Sequence, residues 1–212
     1  MSLIQELESV PVVPLVQAED PAVAVEISRA LAAGGLSVAE VVLRTDLASE
    51  CLRAVADEVP EMVTGAGTVL SADQARQAID NGARFVVSPG INVDVVDVCQ
   101  KAEIPVFPGT YTPSDIQLAL NLGLDVVKFF PASIAGGIPA IKAMASVFRT
   151  IRFMPTGGIS VANLAEYLAV PSILACGGSW LTPADAVAAG QFEEITKLAK
   201  EAVEIATRTR GR

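Results

Sequence analysis

The 212-residue chain contains no histidine. That one absence removes Ser-His-Asp and Cys-His triads, histidine-ligated zinc and histidine phosphotransfer together. Acid-base chemistry is left to carboxylate, lysine, tyrosine, cysteine or water. Charge is also sparse: 18% of residues are Asp, Glu, Lys or Arg, and the net formal charge is -9. A surface of that sign repels nucleic acid and anionic membrane, so neither is expected as a partner and a small molecule is. Long apolar runs are missing, although 51% of residues are hydrophobic. Each run is interrupted by Gly, Pro or a charge well short of the roughly twenty residues that span a bilayer. The opening MSLIQELESV lacks a basic segment followed by a long apolar core, so a cytoplasmic location is expected. Cys51, Cys99 and Cys176 are odd in number and far apart, the pattern of reduced core thiols rather than of a disulfide framework.

What is abundant is repetition. The short β-branched runs PVVPLVQ, VAEVVLR, MVTGAGTV, FVVSPG, IPVFPG, VVKFFP, IRFMPTGG and SILACGGSW alternate with Ala-rich amphipathic stretches such as PAVAVEISRALAAGG and TPSDIQLALNLG. Eight such runs, with helical stretches between them and no linker or composition break, predict an α/β fold. The count favours a closed (β/α)8 TIM barrel over an open doubly wound sheet, in one domain spanning residues 1–212. SLIQELES reads as an extra N-terminal helix plugging one end. GAGTV lacks the third glycine of a dinucleotide fingerprint and GxxxxGK[ST] is absent, so nucleotide chemistry is not expected.

In a barrel the active groups sit at the C-terminal ends of the strands. In VAEVVLRT, a period of two puts Glu40, Val42 and Arg44 on one face, the two charges about 13 Å apart at about 3.3 Å per residue. In the third strand Thr64, Ala66 and Thr68 share a face. Gly65 and Gly67 between them let a neighbour approach, and Thr68 offers a hydroxyl at the strand end. SPG and PGTYTPSD follow the next two strands, where Pro89 and Thr110 shape the same rim. PTGGIS and CGGSW each put a glycine pair and a hydroxyl after a strand and before a helix. Backbone N–H groups and the positive helix end can hold a phosphate there without a basic side chain.

The residue hardest to explain as scaffold is Lys128, one of five lysines, in DVVKFFPAS. An ammonium group in so apolar a run is costly to desolvate. Only a neutral amine is a nucleophile, and apolar surroundings with a nearby cation such as Arg44 favour that form. Such a lysine suits imine formation with a carbonyl substrate. Glu40 would move protons and Arg44 would pair with a substrate carboxylate. A lysine that merely pairs with Glu40, a phosphosugar epimerase or isomerase without an imine, and a silent metabolite-binding barrel are the competing readings.

VAEVVLRT, VTGAGTVL, VVSPG, VKFFPA, RFMPTGGIS and CGGSW, in this order and spacing, closely resemble the 2-keto-3-deoxy-6-phosphogluconate (KDPG) aldolases and the related 4-hydroxy-2-oxoglutarate aldolases, over nearly the whole chain. The resemblance implies a metal-free class I aldolase in a (β/α)8 homotrimer. It implies cleavage of KDPG to pyruvate and glyceraldehyde 3-phosphate with no cofactor beyond a covalent imine, or action on 4-hydroxy-2-oxoglutarate. It further implies Lys128 as the Schiff-base residue and Glu40 as the general acid and base. Arg44 and Thr68 would hold the pyruvyl carboxylate, Pro89 and Phe130 would line the pyruvyl pocket, and Gly157, Gly158 and Ser179 would hold the phosphate. One position departs: Ser133 stands where many members carry Glu. It is expected to lie outside the chemistry while bearing on substrate preference.

Overall fold

The computed structural model describes residues 2–211. Its strands are β1 (Val12–Val16), β2 (Val38–Val42), β3 (Val63–Gly67), β4 (Val86–Ser88), β5 (Val106–Thr110), β6 (Val126–Phe129), β7 (Arg152–Pro155) and β8 (Cys176–Gly178). All pair in parallel, in the order β7-β6-β5-β4-β3-β2-β1-β8. The two ends of that order meet through single bridges, Phe153 to Ile173 and Thr156 to Gly177, so the sheet curls into a nearly closed barrel. The predicted (β/α)8 fold is the observed one.

The helices are α1 (Leu3–Ser9), α2 (Pro21–Ala33), α3 (Ala48–Glu58), α4 (Ala72–Asp80), α5 (Val93–Lys101), α6 (Pro113–Asn121), α7 (Gly137–Val147), α8 (Leu164–Leu168), α9 (Ala184–Ala188) and α10 (Phe192–Arg210). α2 illustrates how they form. Asp20 caps it by accepting from Ala22 N at 2.7 Å, and Pro21 sits in the first turn, where its missing N–H costs nothing. One face then buries Ala24, Val25, Ile27 and Leu31 against the barrel wall. The sequence reading leaves α5, α8, α9 and α10 unassigned. α10 nevertheless carries a clear stripe at helical spacing, Ile195, Ala199, Ala202, Ile205 and Ala206, which it buries. It packs against the end of α2, where Gly34 leaves the space that Ala199 occupies.

Strand register divides the core into two shells. Outward-facing residues such as Val12, Ala39, Val41, Ala66, Val86, Val127 and Phe129 join the helices in one large cluster. Inward-facing Val13, Val38, Phe85, Val87, Phe107, Val126, Met154 and Leu174 fill the N-terminal end of the lumen. α1 closes that end as predicted: Leu7 is fully buried in the inner cluster, with Leu3 and Ile4 packed beside it. Burying one leucine in this way contributes about 1.5–3 kcal/mol. The plug is further held by Arg152 Nη1 on Glu8 Oε1 at 2.9 Å and by Ser37 Oγ on Glu6 Oε2 at 3.1 Å.

The same register corrects the expected third-strand face. Glu40 is level with Gly65 and Val42 with Gly67, so the glycines point into the lumen and Thr64 and Ala66 point out to the helices. Thr68 reaches the rim by another route: its φ of 60° takes it out of the strand alternation altogether.

Candidate active site

Above the inner apolar cluster the lumen turns polar. β6 delivers Lys128 and β2 delivers Glu40, 3% and 2% exposed, with Nζ 3.5 Å from Oε1. Glu40 Oε1 has no hydrogen-bond partner among the described residues, so an acceptor stands ready at the centre of the barrel. The room comes from small neighbours. A Cβ on Gly67 would collide with the Glu40 carboxylate, and one on Gly109, level with Lys128, would strike the Pro89 carbonyl. The loop carrying Pro89 therefore folds in against the strand beside Lys128. Phe130 sets its ring centroid 5.3 Å from Nζ, and Thr110 Oγ1 donates to the Lys128 carbonyl at 3.1 Å. The lysine is thus held at its backbone, its ring neighbour and its charge.

Arg44 does not share the lumen with Glu40. β2 ends at Val42, two residues earlier, and Arg44 stands exposed on the rim, where its Nε donates to Thr68 Oγ1 at 2.9 Å. The charged group beside Lys128 is therefore the Glu40 carboxylate, not the guanidinium expected from the sequence. Arg44 lines a cavity of about 570 Å³ with Ser179, Leu15 and Val42. Leu15 and Val42 lie near the C-terminal ends of β1 and β2, so this cavity sits over those strand ends and joins the arginine to the end of β8.

The loop after β7 has the geometry of an anion cradle. Gly157 and Gly158 have φ of 95° and 79°, and neither N–H donates to a protein group among the described residues. Two successive N–H groups with no protein acceptor among the described residues are donors available to an anion. Asn163, which the sequence reading passes over, clamps the loop: its Nδ2 donates to Gly158 O and its Oδ1 accepts from Ser160 N, both at 2.9 Å. The bridge from Thr156 to Gly177 brings this loop beside Gly178 and Ser179. The helical contribution expected here is small. α8 spans only 5 residues and starts beyond the Ser160–Asn163 turn, and Ser179 opens a 3-10 turn of 3 residues, too few aligned peptides for a useful dipole. Anion binding at this loop would rest on its N–H groups rather than on a helix end.

Ser133 lies closer to the site than expected. Its N–H donates to Gly157 O at 3.1 Å, and its side chain packs over the Gly158 α-carbon. That proximity depends on two loops meeting, so no local pattern announces it. The cysteines play no part: burial pushes Cys99 up to about 11, burial followed by Asp20 and Glu50 raises Cys51, and burial raises Cys176 as well. All three stay protonated near neutrality, which leaves Glu40 and Lys128 as the titratable pair in the lumen.

Comparison with known proteins identifies the family. The family model for KDPG and KHG aldolases matches residues 3–198. The KHG/KDPG aldolase of Escherichia coli K12 is 48% identical over 194 residues, covering 92% of this chain and 91% of the relative. The KDPG aldolase of Zymomonas mobilis ZM4, solved with 3-phosphoglycerate, superposes with a TM-score of 0.87 at 47% identity, over 94% of this chain and 93% of the other. The KDPG aldolase of Legionella pneumophila, in which pyruvate was captured as a covalent carbinolamine, superposes with a TM-score of 0.91 at 37% identity, over 96% and 98%. The chain belongs to the KDPG and KHG aldolase family.

Proposed function

We propose that this chain is a class I aldolase that reversibly cleaves KDPG to pyruvate and glyceraldehyde 3-phosphate, with 4-hydroxy-2-oxoglutarate as a second substrate. The observation that carries the reading is the buried Lys128–Glu40 contact of 3.5 Å at the polar end of a barrel whose relatives are aldolases. Lys128 Nζ adds to the C2 carbonyl, and loss of water, assisted by Glu40, converts the carbinolamine to an iminium. Removal of the C4 hydroxyl proton then breaks the C3–C4 bond. The O–H electrons become the aldehyde carbonyl, and the C3–C4 pair moves into an enamine. Glyceraldehyde 3-phosphate departs, C3 takes a proton, and hydrolysis of the imine releases pyruvate and the free amine.

In this reading Arg44 pairs with the substrate carboxylate and Thr68 holds the guanidinium toward it, supported by their 2.9 Å hydrogen bond. Pro89 and Phe130 line the pyruvyl pocket, consistent with their positions beside Gly109 and Lys128. Gly157, Gly158 and Ser179 take the phosphate, supported by the two free N–H groups. The reaction draws on no cofactor other than the imine itself. The reading includes a homotrimer. Ile134 and Val147, 76% and 71% exposed, are apolar surface that a second copy would cover, and light scattering on the eluted protein measures the mass. Among the described residues no helix is long and apolar enough to cross a membrane, in keeping with a cytoplasmic enzyme.

Incubation with pyruvate, reduction with borohydride and peptide mapping tests the chemistry. A pyruvyl adduct on Lys128 alone is expected. Folded protein that gains no adduct, yet still converts a phosphorylated sugar, would move an epimerase to first place.

A further inference from the structure

We propose that Ser133 is a specificity residue of this enzyme: its hydroxyl donates to the phosphate ester seated over Gly157 and Gly158. The proposal rests on the aldolase reading above and on the phosphate's placement there.

Three observations carry it. The first is how firmly the residue is placed. Beyond the last paired residues of β6 and β7, the ladder continues through Thr156 N to Phe129 O at 3.0 Å, Ala132 N to Thr156 O at 2.8 Å and Ser133 N to Gly157 O at 3.1 Å. These bonds fix the Ser133 backbone against the glycine loop rather than leaving it on a free turn. The second is direction. A Cβ built on Gly158 would collide with Ser133 Oγ and Cβ, so the hydroxyl stands over the α-carbon of the second glycine, beside the two glycine N–H groups. The third is that Ser133 Oγ makes no hydrogen bond to any described residue, although Ser133 is an exposed side chain free to turn.

The chemistry of the site gives that hydroxyl a task. A phosphate ester presents three strong acceptor oxygens and nearly two negative charges. No Lys or Arg lies in PTGGIS or CGGSW, so binding here depends on the number of neutral donors. Gly157 N–H, Gly158 N–H and Ser179 would supply three, and Ser133 Oγ a fourth from the opposite side of the cradle. The same residue also links the two halves of the site, because the strand that carries Lys128 leads directly into it. 4-Hydroxy-2-oxoglutarate ends in a carboxylate at C5, next to the carbon that reacts, and carries no phosphate to reach this hydroxyl. Ser133 therefore discriminates between the two substrates rather than acting in bond cleavage.

The test compares steady-state kinetics of the native enzyme, Ser133→Ala and Ser133→Thr on both substrates. Ser133→Ala is expected to raise KM for KDPG about ten- to hundredfold, the range of a lost hydrogen bond to a charged group, with kcat little changed. Its kinetics on 4-hydroxy-2-oxoglutarate should match the native enzyme, and Ser133→Thr should recover most of the lost affinity. Equal KM values for KDPG in native and Ser133→Ala enzyme would overturn the proposal. So would a parallel loss on both substrates, which is the mark of a structural role. If the native enzyme cleaves neither substrate, the aldolase reading itself fails, a result distinct from both.

Discussion

Arg44 Nε lies 2.9 Å from Thr68 Oγ1, and Thr68 holds that position with a φ of 60°, a conformation β-branched residues avoid. Left-handed backbone costs a residue with a Cβ about 1–2 kcal/mol. The strain is located where the hydroxyl meets the guanidinium, so under the proposed role of Arg44 stability and substrate binding pull in opposite directions. Thr68→Gly should relieve the strain and, after the extra chain entropy of glycine, stabilise the fold by up to about 1 kcal/mol. It should also free Arg44 and raise KM for pyruvate in the condensation direction. Thr68→Ala keeps the strain and loses the hydroxyl, so it should weaken pyruvate binding with no gain in stability. Thermal unfolding alongside pyruvate kinetics separates the two effects, and a Thr68→Gly variant with lower Tm than the native protein would rule out the strain.

Gly67 is the neighbour that leaves space for Glu40. A methyl group there has to displace the carboxylate, because β3 is fixed on both sides by its pairing with β2 and β4. Gly67→Ala is expected to cost about 1–3 kcal/mol of stability through overpacking. Its effect on turnover should be larger than that, since the carboxylate proposed to transfer protons is moved away from Lys128. Borohydride trapping of pyruvate should still proceed, because Lys128 itself is untouched. Loss of trapping in step with loss of turnover would mean the lysine moved too.

Asp115 gives the rim a measurable pH dependence. Its carboxylate accepts from Tyr111 N at 2.9 Å and Thr112 N at 2.8 Å, closing a capping box at the start of α6. Burial works against the charged form, but these backbone donors and the Thr112 hydroxyl outweigh it and hold the group below the ordinary carboxylate value. A lowered pKa in the folded state means that the stabilisation is complete above the unfolded value of about 3.9 and is lost as pH falls through the folded one. Asp115→Asn should cost about 0.3–1.5 kcal/mol at pH 7, and the gap to the native protein should close below about pH 4. Urea unfolding at the two pH values checks it; a gap that stays constant would remove the carboxylate from the cap.

Much of this was legible in the chain, and the exceptions share a cause. Eight β-branched runs punctuated by Gly, Pro and helical stretches could be read as a barrel because each strand carries its own local signal. Lys128 and Glu40 were legible because a charge at a period-two position inside an apolar run has few bland explanations. The face of β3 was misread because VTGAGT is small on both sides, so alternation supplies no phase. Arg44 was set too deep because strand ends are not marked in sequence. Thr68 reaches it through one unusual φ that nothing local announces. Ser133 and Asn163 needed the tertiary seam between the loops after β6 and β7, and Asn163 resembles any turn residue until its two bonds are seen.

The Lys128–Glu40 contact can serve structure or chemistry, and stability measurements separate the two. Both groups are almost fully buried, so each depends on the other to offset desolvation. Lys128→Met leaves Glu40 without its cation, an orphaned buried charge that should cost about 3–5 kcal/mol. Glu40→Gln keeps an acceptor near Nζ and should cost less, while lowering turnover by about 10²–10⁴ through loss of the proton shuttle. Combining Lys128→Met with Glu40→Leu removes both charges and replaces them with apolar volume. A pair retained for catalysis predicts that this double variant regains most of the stability lost by Lys128→Met, yet has no aldolase activity and forms no adduct with pyruvate. A pair retained for the fold predicts instead that the double variant stays as unstable as the single one. Urea unfolding of the native protein and the three variants at one pH decides between them.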